Sequence, residues 1–127
     1  MDSAGKTVKV SGLGAIMTAA YLECVEFADF GEEGEPAKGA EFSPLAKAQA
    51  HQDCSRFLWV NRGLIPDHLV EAAGHSLWLD RNGHGSGFLD YTDDVWKREH
   101  TEILSRCARC MGEKSLYTGS DGLINFE

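Results

Sequence analysis

No stretch of the chain approaches the roughly 20 consecutive apolar residues that a membrane-spanning helix needs. The opening residues, Met1-Asp2-Ser3-Ala4-Gly5-Lys6, lack the basic start and apolar centre of a secretion signal. A cytoplasmic location with no membrane partner is therefore expected. Basic residues are also in short supply: 12 Lys and Arg stand against 20 Asp and Glu, a formal net charge of −8. Direct binding to nucleic acid is not expected, because phosphate binding depends on Lys and Arg displacing counterions. An acidic surface is better matched to a basic protein surface, including one that ordinarily holds nucleic acid. The same charge also serves solubility alone.

What is present is ordinary for a globular protein: 43% hydrophobic and 25% charged residues over 127 positions. That length suits one domain, residues 1–127, and buries roughly two thirds of the unfolded chain's surface. Neither a disulfide nor a metal is needed for folding at this size.

Lys6-Thr7-Val8-Lys9-Val10 alternates polar and apolar residues and predicts a short edge strand, broken by residues 11–14. Residues 15–30 predict a helix with Ile16, Met17, Ala20, Tyr21, Cys24, Val25, Phe27 and Ala28 inward and Thr18, Glu26 and Asp29 outward. Residues 31–42 read as a loop punctuated by Gly31, Gly34, Pro36 and Gly39. This is the acidic centre of the chain, with Glu26, Asp29, Glu32, Glu33, Glu35 and Glu41 against Lys38.

Ser43-Pro44 starts a second helix, since serine caps free N–H groups and proline suits the first turn. Its inner face is Ala46, Ala50, Cys54, Phe57 and Leu58, which leaves Trp59 outside beside Gln52 and Arg56. A short third helix is expected over 67–73. Ser76-Leu77-Trp78-Leu79-Asp80 and Gly87-Phe88-Leu89-Asp90-Tyr91 flank Asn82-Gly83-His84-Gly85, a hairpin signal. Thr92 or Asp93 then caps a long helix to about Met111, with Trp96, His100, Ile103, Leu104, Cys107, Cys110 and Met111 inward. A second hairpin follows about Ser120-Asp121-Gly122. The expected fold is α+β: an antiparallel sheet of two hairpins with three to four helices packed on one face.

Residues with chemical potential have structural explanations beside them. Val10-Ser11-Gly12-Leu13-Gly14-Ala15-Ile16-Met17 partly matches a dinucleotide-binding turn but carries Met17 at the third glycine position. Cys107 and Cys110 have CxxC spacing, and His100 shares their helix face. Paired zinc ligands usually come from turns, whereas all four cysteines fit inner helix faces, so no metal is expected. Asp80 and Asp90 form a possible carboxylate pair near Arg81 and His84, without a nucleophile motif. No catalytic residue and no cofactor are assigned. Gly83, Gly85 and Gly87 are more glycines than a simple reversal needs. They predict a bulged turn, or an open backbone presenting Arg81, Asn82 and His84 to solvent.

The segment Ala73-Gly74-His75-Ser76-Leu77-Trp78-Leu79-Asp80-Arg81-Asn82-Gly83-His84-Gly85-Ser86-Gly87-Phe88-Leu89-Asp90 resembles small proteins of phages and other mobile elements. These share a Gly-His-aromatic start and an Arg-Asn-Gly-His-Gly-x-Gly-Phe turn. Leu116-Tyr117-Thr118-Gly119-Ser120-Asp121-Gly122-Leu123-Ile124 resembles their closing hairpin, and Ala20-Tyr21-Leu22-Glu23-Cys24 their first helix. The resemblance implies a mobile-element context and transfers no activity. The expected function is non-enzymatic: binding and modulating a host defence or nucleic-acid-handling protein, as anti-CRISPR proteins do. Its binding residues are taken as Glu32, Glu33, Glu35, Trp59, Arg81, Asn82 and His84. The alternatives are a small enzyme or ligand-binding domain centred on the Arg81 to Gly85 loop, and a homo-oligomeric structural protein using Trp59 or other exposed apolar surface.

Overall fold

A computed structural model of the chain describes residues 2–31, 36–84 and 87–127, with residues 2–11 described through their backbone alone. Among the described residues, four helices precede one hairpin: α1 (Asp2–Asp29), α2 (Pro44–Val60), α3 (Val70–Arg81), α4 (Arg98–Cys110), β1 (Leu116–Thr118) and β2 (Ile124–Phe126). Helix α1 packs most extensively on α3 and next on α2, and α3 also meets α4. The two strands pair antiparallel, Tyr117 opposite Asn125. Phe126 lays its ring against Tyr21 and Trp78, which fastens the hairpin to α1 and α3. The expectation of a sheet built from two hairpins is thus corrected. Among the described residues only the second hairpin forms, and most of the core lies between helices.

The first expected hairpin is the continuation of α3 and its cap. Val70, Ala73, Gly74, Leu77, Trp78 and Arg81 recur at helical spacing and are buried. Asn82-Gly83, which also suits a two-residue hairpin, here ends the helix. Gly83 takes φ +67, its N–H donates to Asp80 O (3.2 Å), and the His84 N–H donates to Leu79 O (2.9 Å). This paired closure is the Schellman motif, which serves the last free carbonyls of a helix. A short apolar run such as Leu77-Trp78-Leu79 does not distinguish strand from helix by its period, and the preceding turn decides.

The expected strand over 6–10 is likewise part of α1. A lone edge strand needs a ladder to join, whereas a helix extends by adding one hydrogen bond per residue. Further along α1, Met17, Ala20, Tyr21, Cys24 and Val25 are buried as expected, but Ile16, Phe27 and Ala28 are exposed. Thr18, expected outward, is buried: its hydroxyl donates to Gly14 O (2.7 Å) and lies 3.3 Å from His51 Nδ1 of α2.

Helix α2 matches its expectation closely. Ser43 Oγ accepts from the Ala46 N–H at 3.0 Å, Pro44 opens the helix, and Ala46, Ala50, Cys54, Phe57 and Leu58 are buried. The long final helix is shorter than expected and begins at Arg98. Asp93 adopts φ +70, which a right-handed helix cannot contain. The chain folds tightly there: Val95 and Trp96 N–H groups both donate to Tyr91 O, at 2.9 and 3.1 Å. Trp96 is thereby buried ahead of the helix, and α4 turns Thr101, Leu104, Ser105 and Ala108 inward. Ile103 and Cys110 are exposed, contrary to expectation.

Candidate functional site

Arg81 does not stand in solvent. As the last residue of α3 it is 3% exposed, and its side chain joins three elements. Nη1 donates to Asp53 Oδ2 of α2 (2.9 Å) and to the Tyr21 hydroxyl of α1 (3.1 Å). Nε and Nη2 donate to Gly112 O (2.8 Å) and Met111 O (3.0 Å), the carbonyls that follow the last residue of α4. A cation at a helix C-terminus is favourably placed against the helix dipole. Burial works against the Arg81 charge, but Tyr21 and Asp53 outweigh it and hold the guanidinium above its ordinary range. Burial also pushes the Tyr21 phenol above its ordinary range, with Arg81 pulling part of the way back. The expectation of an exposed Arg81 fails because the segment is helical, which turns this position onto the buried stripe.

Its neighbours are also engaged. Asn82 donates from Nδ2 to Trp78 O (3.0 Å) and accepts the Lys114 N–H at Oδ1 (2.9 Å), tying the end of α3 to the chain before β1. His84 is exposed, with Nε2 3.3 Å from Asp29 Oδ1. Asp80, the first half of the expected carboxylate pair, is buried and accepts from Phe88 N (3.2 Å) and Arg109 Nε (3.3 Å). Asp90 is exposed on the 3-10 turn Leu89–Tyr91. Gly87 packs so close to Asp80 that a Cβ there would lie 2.6 Å from the Asp80 carboxyl carbon. Gly83 and Gly87 therefore each have a structural task, and Gly85 lies outside the described residues.

Trp59 is 56% exposed with the Arg62 guanidinium 4.0 Å from its ring centre. Glu32, Glu33 and Glu35 lie outside the described residues. Gly12 and Gly14 fall inside α1, so no phosphate-binding loop forms there; a Cβ on Gly14 would meet Ser55 Oγ at 2.8 Å. Cys24 and Cys54 are buried as expected, whereas Cys107 is half-buried and Cys110 exposed. Among the described residues no group of three or more His, Cys, Asp or Glu is placed to hold a metal ion. Nor is any described helix long and apolar enough to cross a membrane.

A concavity among the described residues lies elsewhere. A groove of about 530 Å³ runs between α1, α3 and the 89–96 segment. Helix α1 contributes Glu23, Cys24 and Phe27, and α3 contributes Ala72, His75, Ser76 and Leu79. Tyr91, Val95 and Trp96 form the remaining wall. Phe27 is 90% exposed, while Cys24, Ser76 and Trp96 are buried. The Cys24 thiol, pushed up to about 11 by burial and then by the nearby Asp29 and Glu23 carboxylates, stays protonated at neutral pH and donates to His75 O (3.5 Å). His75 Nε2 lies 3.4 Å from Glu23 Oε1 at the exposed rim. Trp96 is 2% exposed, and its Nε1 has no hydrogen-bond partner among the described residues. An unmet buried donor of this kind costs about 1–3 kcal/mol.

The chain matches no protein-family model, no curated protein and no solved structure. Sequence reasoning missed the groove because it placed Phe27 on the inner face and Ser76, Leu79 and Tyr91 in a hairpin. A usable signal was present: Glu23, Phe27 and Cys24 are neighbours at helical spacings of three and four.

Proposed function

We propose that the protein is a non-enzymatic accessory protein of a phage or other mobile element. In this reading it acts in the bacterial cytoplasm, binding and modulating a host defence or nucleic-acid-handling protein as anti-CRISPR proteins do. The observation that supports it best is Phe27, 90% exposed on α1 beside the exposed carboxylates of Glu23 and Glu26. A projecting aromatic ring is a common anchor of protein interfaces. Surrounding carboxylates favour a Lys- and Arg-rich partner and speed its approach. Along the chain Glu32, Glu33 and Glu35 extend the same acidic run, and the net charge of −8 has the same sign. A basic groove that normally holds nucleic acid meets each of these requirements.

The test is affinity capture from a bacterial lysate, followed by titration of the captured partner. A basic partner released by salt and by competing nucleic acid is expected. Phe27→Ala should weaken it roughly tenfold or more, and joint reversal of Glu32, Glu33 and Glu35 to lysine should weaken it further. A partner indifferent to all of these changes would remove the reading. The alternative of a ligand-binding domain moves from the Arg81 loop to the groove, because Arg81 is buried.

A further inference from the structure

We infer that Cys107 and Cys110 form a reactive dithiol, with Cys110 as the attacking thiol, that exchanges with small anionic disulfides of the oxidised-glutathione type. The site does not depend on the protein-partner reading above. The four cysteines divide by exposure. Cys24 and Cys54 are buried, whereas Cys110, the last residue of α4, is exposed and Cys107 is half-buried. One helical turn sets the spacing of the pair. Three residues along an α-helix, Cα atoms stand about 5 Å apart, inside the roughly 4.4–6.8 Å that a disulfide spans. The Cβ atoms, about 5–6 Å apart, must close by about 1–2 Å to reach bonding distance. The pair occupies the last turn of α4, and the chain leaves the helix at Gly112 (φ +84), so no following turn resists that closure.

The surroundings assign the two sulfurs different steps. Cys107 Sγ accepts the Asn61 Nδ2 hydrogen at 3.4 Å, and Asn61 is buried and donates to Phe57 O at 3.0 Å. That contact holds Cys107 against the end of α2, where a bulky guest reaches it less readily than Cys110. Cys110 instead borders an open groove of about 370 Å³ whose walls include Leu89, Arg106 and Arg109. Arg106 pairs with Glu102 (3.0 Å) and Arg109 with Asp80 (3.3 Å). A guanidinium carries more N–H groups than one carboxylate engages, so both have donors left for a guest's carboxylates. A helix C-terminus disfavours an anion, and these two cations are what makes the groove hospitable to one.

In the first step Cys110 Sγ gives its proton to water and attacks one guest sulfur. A new S–S bond forms as the guest's own breaks, and the leaving thiolate takes up a proton. Cys107 Sγ, likewise deprotonated, then attacks Cys110 Sγ and expels the second thiol. Two protein thiols are oxidised to one disulfide, and one guest disulfide is reduced to two thiols.

For the test, the reduced protein is incubated with oxidised glutathione in the absence of oxygen, quenched with iodoacetamide and read by intact mass and peptide mapping. A disulfide between Cys107 and Cys110 of one chain is expected. In Cys107→Ser the reaction should stop at a glutathionyl adduct on Cys110, and in Cys110→Ser it should slow roughly tenfold or more. Arg106→Gln should slow attack by oxidised glutathione about threefold, the worth of one exposed charge contact, and leave the dication cystamine no slower. A lasting adduct on Cys110 of the unaltered protein, or a disulfide between two chains, overturns the proposal and needs no variant. So does a Cys110→Ser protein modified as fast as its parent. Equal slowing of both disulfides by Arg106→Gln, or of neither, overturns the anionic guest.

Discussion

Arg81 and His84 flank the same Asn82-Gly83 pair, and the structure assigns them different work. Arg81 holds Asp53, Tyr21 and the Met111 and Gly112 carbonyls just past α4 through one guanidinium. Arg81→Ala leaves Asp53 without its cation and two helix-end carbonyls without donors. Loss of one partner from a fully buried ion pair costs about 3–5 kcal/mol; Asp53 is half-buried and water reaches it, so a drop towards the lower end of that range in urea-unfolding stability is expected. Arg81→Lys should recover only part, because an ammonium does not reproduce the planar fork. His84→Ala, on an exposed side chain, should stay within about 0.5 kcal/mol. Equal losses from Arg81→Ala and His84→Ala would refute this division. The residue types were plain in the sequence, but whether position 81 faced inward depended on its being helical.

At the scale of elements, the contact between α1 and α3 is set by a missing side chain. A Cβ on Gly74 would lie 2.5 Å from Met17 O and 3.0 Å from Tyr21 N, so the two helix backbones approach there as only glycine permits. Gly74→Ala improves intrinsic helix propensity, yet the atoms it meets are backbone and cannot move aside cheaply. A net loss of about 1–3 kcal/mol is expected. Gly12, also in a helix, has nothing within 4 Å of an added Cβ, and Gly12→Ala should instead gain up to about 1 kcal/mol. Thermal melts of the two variants should therefore move in opposite directions; a stabilised Gly74→Ala would contradict the close crossing. Helix α2 was legible because its cap and its buried stripe lie in one uninterrupted segment. Helix α3 was not, since Asn82-Gly83 is equally suited to a hairpin turn and to a helix C-terminus.

For the whole molecule, two buried thiols link stability to alkaline pH. Burial pushes Cys24 up to about 11 and Cys54 up to about 12, from an ordinary value of 9.0. In the unfolded chain both thiols lose their protons first, so the native state holds protons that the unfolded state has released. Their stabilising contribution is complete below pH 9.0 and is lost as pH rises through the folded values. The urea midpoint should fall above about pH 9, and less steeply in a Cys24→Ala, Cys54→Ala double variant, with raised Tyr21 adding to what remains. Identical slopes for the two proteins would show that these thiols are not the linked groups.

The sequence by itself determined the acidic charge, the Ser43-Pro44 start and buried stripe of α2, the helical character of the later part of α1, and the hairpin over Ser120-Asp121-Gly122. There Gly122 takes φ +82 and Gly119 and Leu123 close the turn through a 2.8 Å hydrogen bond. These features rest on caps, turn residues and periodicity, which act over a few neighbouring positions. Only the tertiary structure decided that Arg81 closes the end of α4, that the backbones of α1 and α3 meet at Gly74, and that Trp96 packs edge-on against Phe88. The first two of those facts join residues far apart in the chain. Packing chose between local conformations that the sequence supports almost equally.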